Sequence, residues 1–118
     1  MDTVTLPTPK TWRHTYHRPD GTIHHTVIRT DRPDGKRGKI MREPKGAEGV
    51  YQILGSHDIL RTAAGNTTVY VCEGEKKTQR LLDLGLVATT SGGSTSAHSA
   101  DWSPLAKFNH VCVLPDND

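Results

Sequence analysis

Aromatic side chains are scarce in this chain: two tryptophans, three tyrosines and one phenylalanine among 118 residues. With hydrophobic residues at only 33%, the chain can build one domain or slightly more around a modest core, with part of its length irregular or thinly packed. Long apolar runs are missing too, and none approaches the roughly 20 residues that a membrane-spanning helix needs. The N-terminus lacks the basic-then-apolar pattern of an export signal, which points to a cytoplasmic protein with no membrane partner. Cysteine is limited to Cys72 and Cys112. Each falls inside an apolar run, so two reduced, buried thiols are expected rather than a disulfide. They also lack the paired spacing of a zinc ribbon.

Charge is present but unevenly placed. Residues 1–49 hold ten Lys/Arg against six Asp/Glu, whereas residues 50–118 hold five against seven. A basic half beside an acidic half suits a polyanion-binding surface next to a metal site. A solvated basic surface with no ligand would read the same way.

Residues 1–11, with Pro7, Pro9 and four threonines, read as an extended or disordered lead-in. From Trp12 the pattern becomes β. Arg18-Pro19-Asp20-Gly21 and Arg32-Pro33-Asp34-Gly35 repeat one tetrapeptide. Pro presets the turn, Asp bonds back to the backbone and Gly supplies positive φ, so each reads as a hairpin tip. The expectation is an antiparallel meander over 12–49, with strands near Thr11–His17, Thr22–Thr30 and Lys36–Glu43. Residues 44–49 are polar and glycine-containing, the best candidate boundary before a second region, 50–118.

That second region opens with a short apolar segment, Val50–Leu54. A brief helix over His57–Ala64 follows, with Ser56 as its expected cap. Val69-Tyr70-Val71-Cys72 reads as a buried strand, Gly74 allows a tight turn, and Glu75–Leu84 reads as a helix stopped by Gly85. A short strand at Val87–Thr90, a helical turn at Pro104–Lys107 and a last strand at His110–Leu114 complete the rhythm of a parallel sheet. Glu73 therefore emerges at the C-terminal edge of that sheet, where open α/β folds hold ligands. Asp116 and Asp118 follow the last strand. Two neighbouring strands that deliver Glu73, Asp116 and Asp118 to one edge would make a divalent-metal site.

These residues, taken in order, resemble the TOPRIM domain of phage- and mobile-element-type DNA primases. The matching pieces are Val69-Tyr70-Val71-Cys72-Glu73-Gly74-Glu75-Lys76, then Gly85-Leu86-Val87-Ala88-Thr89-Thr90-Ser91-Gly92-Gly93, then Trp102 and Leu105, then Val111-Cys112-Val113-Leu114-Pro115-Asp116-Asn117-Asp118. The upstream Tyr16…Asp20-Gly21 and Tyr51-Gln52-Ile53 match more loosely. The resemblance implies an α+β or α/β architecture, in which an antiparallel meander precedes a partial, Rossmann-like three-layer TOPRIM unit with a parallel sheet. It implies Glu73 as the catalytic acid/base or metal-linked glutamate, with Asp116 and Asp118 holding Mg²⁺ or Mn²⁺ for nucleotidyl transfer in DNA replication. DNA, RNA and nucleotides are the implied partners, with a replicative helicase or the remainder of a primase beside them, in a bacterial or phage-infected cell. The family continues beyond its Asp-x-Asp with another helix and strand, while this chain stops at Asp118. A truncated domain that does not make primers alone is expected. A non-enzymatic nucleic-acid-binding remnant and a TOPRIM-type nuclease stay open beside it.

The other polar features divide unevenly. Lys76 at the helix start is a candidate phosphate contact, and so are Arg29, Lys36, Arg37, Lys39 and Arg42, clustered with Arg32 around the second hairpin. As phosphate contacts they would give salt-dependent, sequence-independent binding. Ser91-Gly92-Gly93-Ser94 reads as a flexible turn or a backbone cradle in which Gly92 and Gly93 meet phosphate. Adjacent strand residues face opposite sides, so His24 and His25, with His14 and His17, are read as surface side chains and not as metal ligands. Trp12 and Tyr16 are read as core anchors over base-stacking groups. Leu81, Leu82, Leu84 and Leu86 are read as packing residues. A Ser-His-Asp hydrolase from Ser99, His98 and Asp101 has no nucleophile elbow to support it.

Overall fold

A computed structural model of the chain describes residues 10–34, 36, 38–92 and 97–115. The fold is α+β: a three-stranded antiparallel sheet, two small parallel sheets and few helical residues. No helix among the described residues is long and apolar enough to cross a membrane.

The meander comprises β1 (Lys10–His17), β2 (Ile23–Asp31) and β3 (Lys39–Glu43), in the order β1-β2-β3. Its hairpin tips use the chemistry expected of the repeated tetrapeptide. Asp20 Oδ1 accepts from the Thr22 N–H at 2.9 Å, and Asp34 Oδ1 accepts from the Lys36 N–H at 2.9 Å. Gly21 adopts φ 91°, a conformation that a side chain would strain. Strand β1 begins at Lys10, so residues 10 and 11 belong to the sheet and not to a lead-in; residues 1–9 lie outside the described residues.

The β1–β2 register contains one irregularity. Tyr16 pairs with His25 and His17 pairs with Ile23, so His24 is an extra residue on β2, a β-bulge. The bulge breaks the alternation of faces. Both His24 and His25 are consequently buried, as is His14, which corrects the expectation of surface histidines.

Beyond the connector, β4 (Tyr51–Gln52) pairs in parallel with β7 (Ala100–Asp101), a two-residue strand that no sequence pattern announces. Helix α1 covers Ile59–Thr62 only. Its cap is Asp58, which accepts from the Ile59 N–H at 2.7 Å. Ser56 is buried and does not cap it. The main parallel sheet has the order β6-β5-β8, with β5 at Thr68–Cys72, β6 at Val87–Thr89 and β8 at His110–Leu114. Helix α2 (Glu75–Asp83) packs on β5 and β6.

Two apolar clusters hold these parts together. Tyr16, Val27, Tyr51 and Leu54 form one, and Ile53, Leu60, Val69 and Phe108 form the other; Ala100 packs on both. Adjacent residues Ile53 and Leu54 thus point into different cores, so the short β4 segment lies between them. Strand β8 departs from its expected burial. It lies at the sheet edge, with Val113 66% exposed and Cys112 only half-buried. Neither cysteine is in a disulfide. Leu84 and Leu86 are likewise exposed and not packed as expected, because the helix ends at Asp83 and the chain turns outward through Gly85.

Candidate functional site

One groove, about 440 Å³ in volume, lies between the inner face of the meander and the end of β5. On β2 the residues that line it alternate, Val27, Arg29 and Asp31, and on β3 they are Ile40 and Arg42. The register explains the set, since Val27 pairs with Arg42 and Arg29 with Ile40 across the two strands. The opposite wall is Glu73, Gly74, Glu75 and Lys76, with Gly92 beside them. Five of the residues singled out from sequence therefore converge: Glu73, Lys76, Arg29, Arg42 and Gly92. Lys39 sits out of phase with Ile40 and Arg42 on β3, and Lys36 is at the hairpin tip; neither lines the groove. Arg37, Gly93, Asp116 and Asp118 lie outside the described residues.

The ends of β5 and β8 lie side by side. Cys72 pairs with Leu114, so the last residue of β8 is level with the residue before Glu73. Lys77 on α2 donates to the Pro115 carbonyl at 3.3 Å and ties that end of β8 to the helix. Glu73 is exposed, and no ion pair among the described residues engages it. No group of three or more His, Cys, Asp or Glu suited to a metal occurs among the described residues.

The cations differ in availability. Arg29 is buried and holds Asp31 at 3.2 Å, which partly neutralises it. Arg42 and Lys76 are exposed, and no ion pair among the described residues engages either. Glu75, near the positive end of α2, accepts a hydrogen bond from the Tyr16 hydroxyl at 2.9 Å. Burial first, and then the neighbouring Glu75 carboxylate, push the Tyr16 phenol well above its ordinary value, so it is a permanent donor at neutral pH.

Thr90 sets the shape of the edge, and sequence reasoning passed over it. Its fully buried hydroxyl oxygen accepts from the Gly74 N–H and from the Gly92 N–H, each at 3.1 Å. This one atom joins the turn after β5 to the turn after β6. It also uses the Gly92 N–H internally, which removes that amide from any phosphate cradle. The only sequence signal was the paired Thr89-Thr90 at a strand end. Thr90→Val keeps the shape and leaves two N–H groups without an acceptor, so a loss of about 2 kcal/mol is expected in urea unfolding. A loss below about 0.5 kcal/mol would remove Thr90 from this role.

Behind the groove the inner face continues. His14 Nε2 bonds to Gln79 Oε1 on α2 at 3.3 Å, which makes Nδ1 the lone-pair nitrogen of a neutral ring. Burial, more than any other influence, lowers the His14 pKa. Comparisons with family models, with curated proteins and with solved structures returned no match.

Proposed function

We propose that this chain is the TOPRIM-type part of a DNA primase, and that the groove between the meander and β5 is its nucleic-acid and nucleotide site. One observation carries the reading: Glu73 at the C-terminal edge of a parallel sheet, with Lys76 on the same wall, faces Arg29 and Arg42 across a single groove. A carboxylate for a divalent ion and cations for phosphate are the two requirements of metal-assisted phosphoryl chemistry. Glu73 would hold Mg²⁺ or Mn²⁺ together with Asp116 and Asp118. The ion, when bound, would stabilise charge on the phosphoryl oxygens. The fit is to a Mg²⁺ site of few protein ligands, in which substrate phosphate and water complete the shell. Arg42 and Lys76 would position the backbone of the strand, and Arg29 would keep one wall of the groove charged.

The test combines metal and strand binding. Calorimetric titration with Mn²⁺ in the presence of a short single strand is expected to give heat that Glu73→Gln abolishes. Arg42→Ala and Lys76→Ala are each expected to weaken strand binding and to lower the salt slope by about one charge. Mn²⁺ heat that is unchanged in Glu73→Gln would sink the metal reading. A second reading, a metal-independent nucleic-acid-binding module, is favoured by Arg42 and Lys76 lying on the groove outside any described ion pair. It requires strand binding in a chelator, with Glu73→Gln behaving as the parent.

A further inference from the structure

The groove does not end at Lys76. A second hollow of about 240 Å³ shares Arg29, Asp31 and Lys76 with it, and is completed by Trp12, Gln79, Arg80 and Asp83. Trp12 pairs with Arg29 across β1 and β2, so the indole stands on the same inner face as the groove residues. Its ring is half-buried, and two cations lie against it: Lys10 Nζ at 4.5 Å from the ring centre and Arg29 Cζ at 5.8 Å. The indole Nε1–H is enclosed and has no acceptor among the described residues. An enclosed donor without an acceptor is destabilising, and most tryptophans buried to this degree find a partner.

From these features we infer that Trp12 is a stacking platform for one base of a single strand, whose adjoining phosphate lies among Arg29, Arg42 and Lys76. The inference rests on the nucleic-acid reading of the groove and adds to it the recognition of a base. The chemistry is specific in three respects. An aromatic face next to a phosphate-binding wall is the combination that single-stranded nucleic acid requires, and stacking there tolerates any base. The Lys10 ammonium is the far end of a flexible side chain, so a base can replace it on the ring while the ammonium moves to a phosphate. Lys76 and Arg80 on the facing helix are outside the described ion pairs, whereas Asp83 is engaged by Gln79 Nε2 at 2.8 Å and Asp31 by Arg29. Four cations (Lys10, Arg29, Lys76 and Arg80) stand at the hollow and its ring against two carboxylates (Asp31 and Asp83), a formal surplus of two positive charges.

The chain has two tryptophans, Trp12 and Trp102, so Trp102→Phe leaves Trp12 as the only indole reporter. Titration with an oligothymidylate, followed in parallel by the anisotropy of a labelled strand, is expected to quench Trp12 emission with the same midpoint as the anisotropy. In the otherwise parental chain, Trp12→Ala is expected to weaken binding about tenfold or more, the equivalent of one lost stacked base. Trp12→Phe should recover part of it. An abasic strand of the same length should bind the parent and Trp12→Ala equally. Anisotropy that saturates while Trp12 emission stays constant overturns the stacking role and leaves the groove reading standing. Absence of any anisotropy change at low salt overturns the groove reading itself. The emission experiment uses a chain with Trp12 intact, so a folding defect in Trp12→Ala does not blunt it.

Discussion

Tyr16→Ala is expected to lower the stability of the chain by about 4 kcal/mol, the cost of truncating a large aromatic side chain in a core. Tyr16 is 1% exposed and is one point at which the two halves of the chain meet. Its ring stacks on His25 with centroids 4.7 Å apart and meets Tyr51 edge-on at 5.6 Å. Its hydroxyl reaches across to Glu75 at the first turn of α2. The alanine variant loses all of this together, in a protein whose apolar clusters hold only about four buried residues each. Domains of this kind are stable by roughly 5–15 kcal/mol, so the remaining margin would be small. Tyr16→Phe separates the two contributions. It keeps the ring and removes the hydroxyl, and it should cost about 1.5–3 kcal/mol, the range for a bond to a charged acceptor. Urea unfolding followed by circular dichroism measures both. A loss under about 1 kcal/mol for Tyr16→Ala would show that the meander and the α/β part do not depend on this contact.

The same residues show what could be read from sequence and what could not. Strand β5, helix α2 and the parallel register with β8 were legible because each follows from local signals: a β-branched run, Gly74 at φ 93°, and a second apolar run of equal length. Both hairpin tips were legible for a similar reason, since proline, aspartate and glycine each have one task in a tight turn. Strand β7 was not, because two residues, Ala100 and Asp101, carry no period and are ordered only by pairing with Tyr51 and Gln52. The groove was half legible. Glu73 and Lys76 follow from the strand-turn-helix pattern, but the choice of Arg29 and Arg42 over Lys39 depends on strand phase, which an uncounted bulge can invert. The surface reading of His24 and His25 failed for that reason, and that of His14 failed because its strand phase points inward. Alternation predicts one inward and one outward ring for His24 and His25, and the extra residue in β2 buries both.

Those buried histidines make the fold sensitive to acid. His24 Nε2–H donates to the Gly49 carbonyl at 2.9 Å, so its Nδ1 carries a lone pair and accepts from His25 Nδ1–H at 2.7 Å. The pair has room for one proton between the two rings. Burial first, then Arg42 and then His24 lower the His25 pKa from 6.5 to about 4. Around it stand Tyr16, Tyr51 and His24, and no carboxylate among the described residues favours its charged form. A folded-state pKa below the unfolded one means that the unfolded chain binds the proton first. Stability contributed by neutral His25 is therefore complete above about pH 6.5 and is lost as the pH falls toward 4. The loss over this window is about 3 kcal/mol for His25 alone, and the lowered His14 adds to it with the same sign. Asp20 and Asp101 do not confuse the measurement, because hydrogen bonds hold both below their ordinary 3.8. Urea midpoints at about pH 7 and about pH 4.5 should differ markedly in the parent and much less in His25→Phe, which keeps a ring against Tyr16 and cannot titrate. A proton NMR titration in which the His25 ring changes charge near its ordinary 6.5 would show that the bulge does not exclude the proton, and the acid sensitivity would then belong elsewhere in the chain.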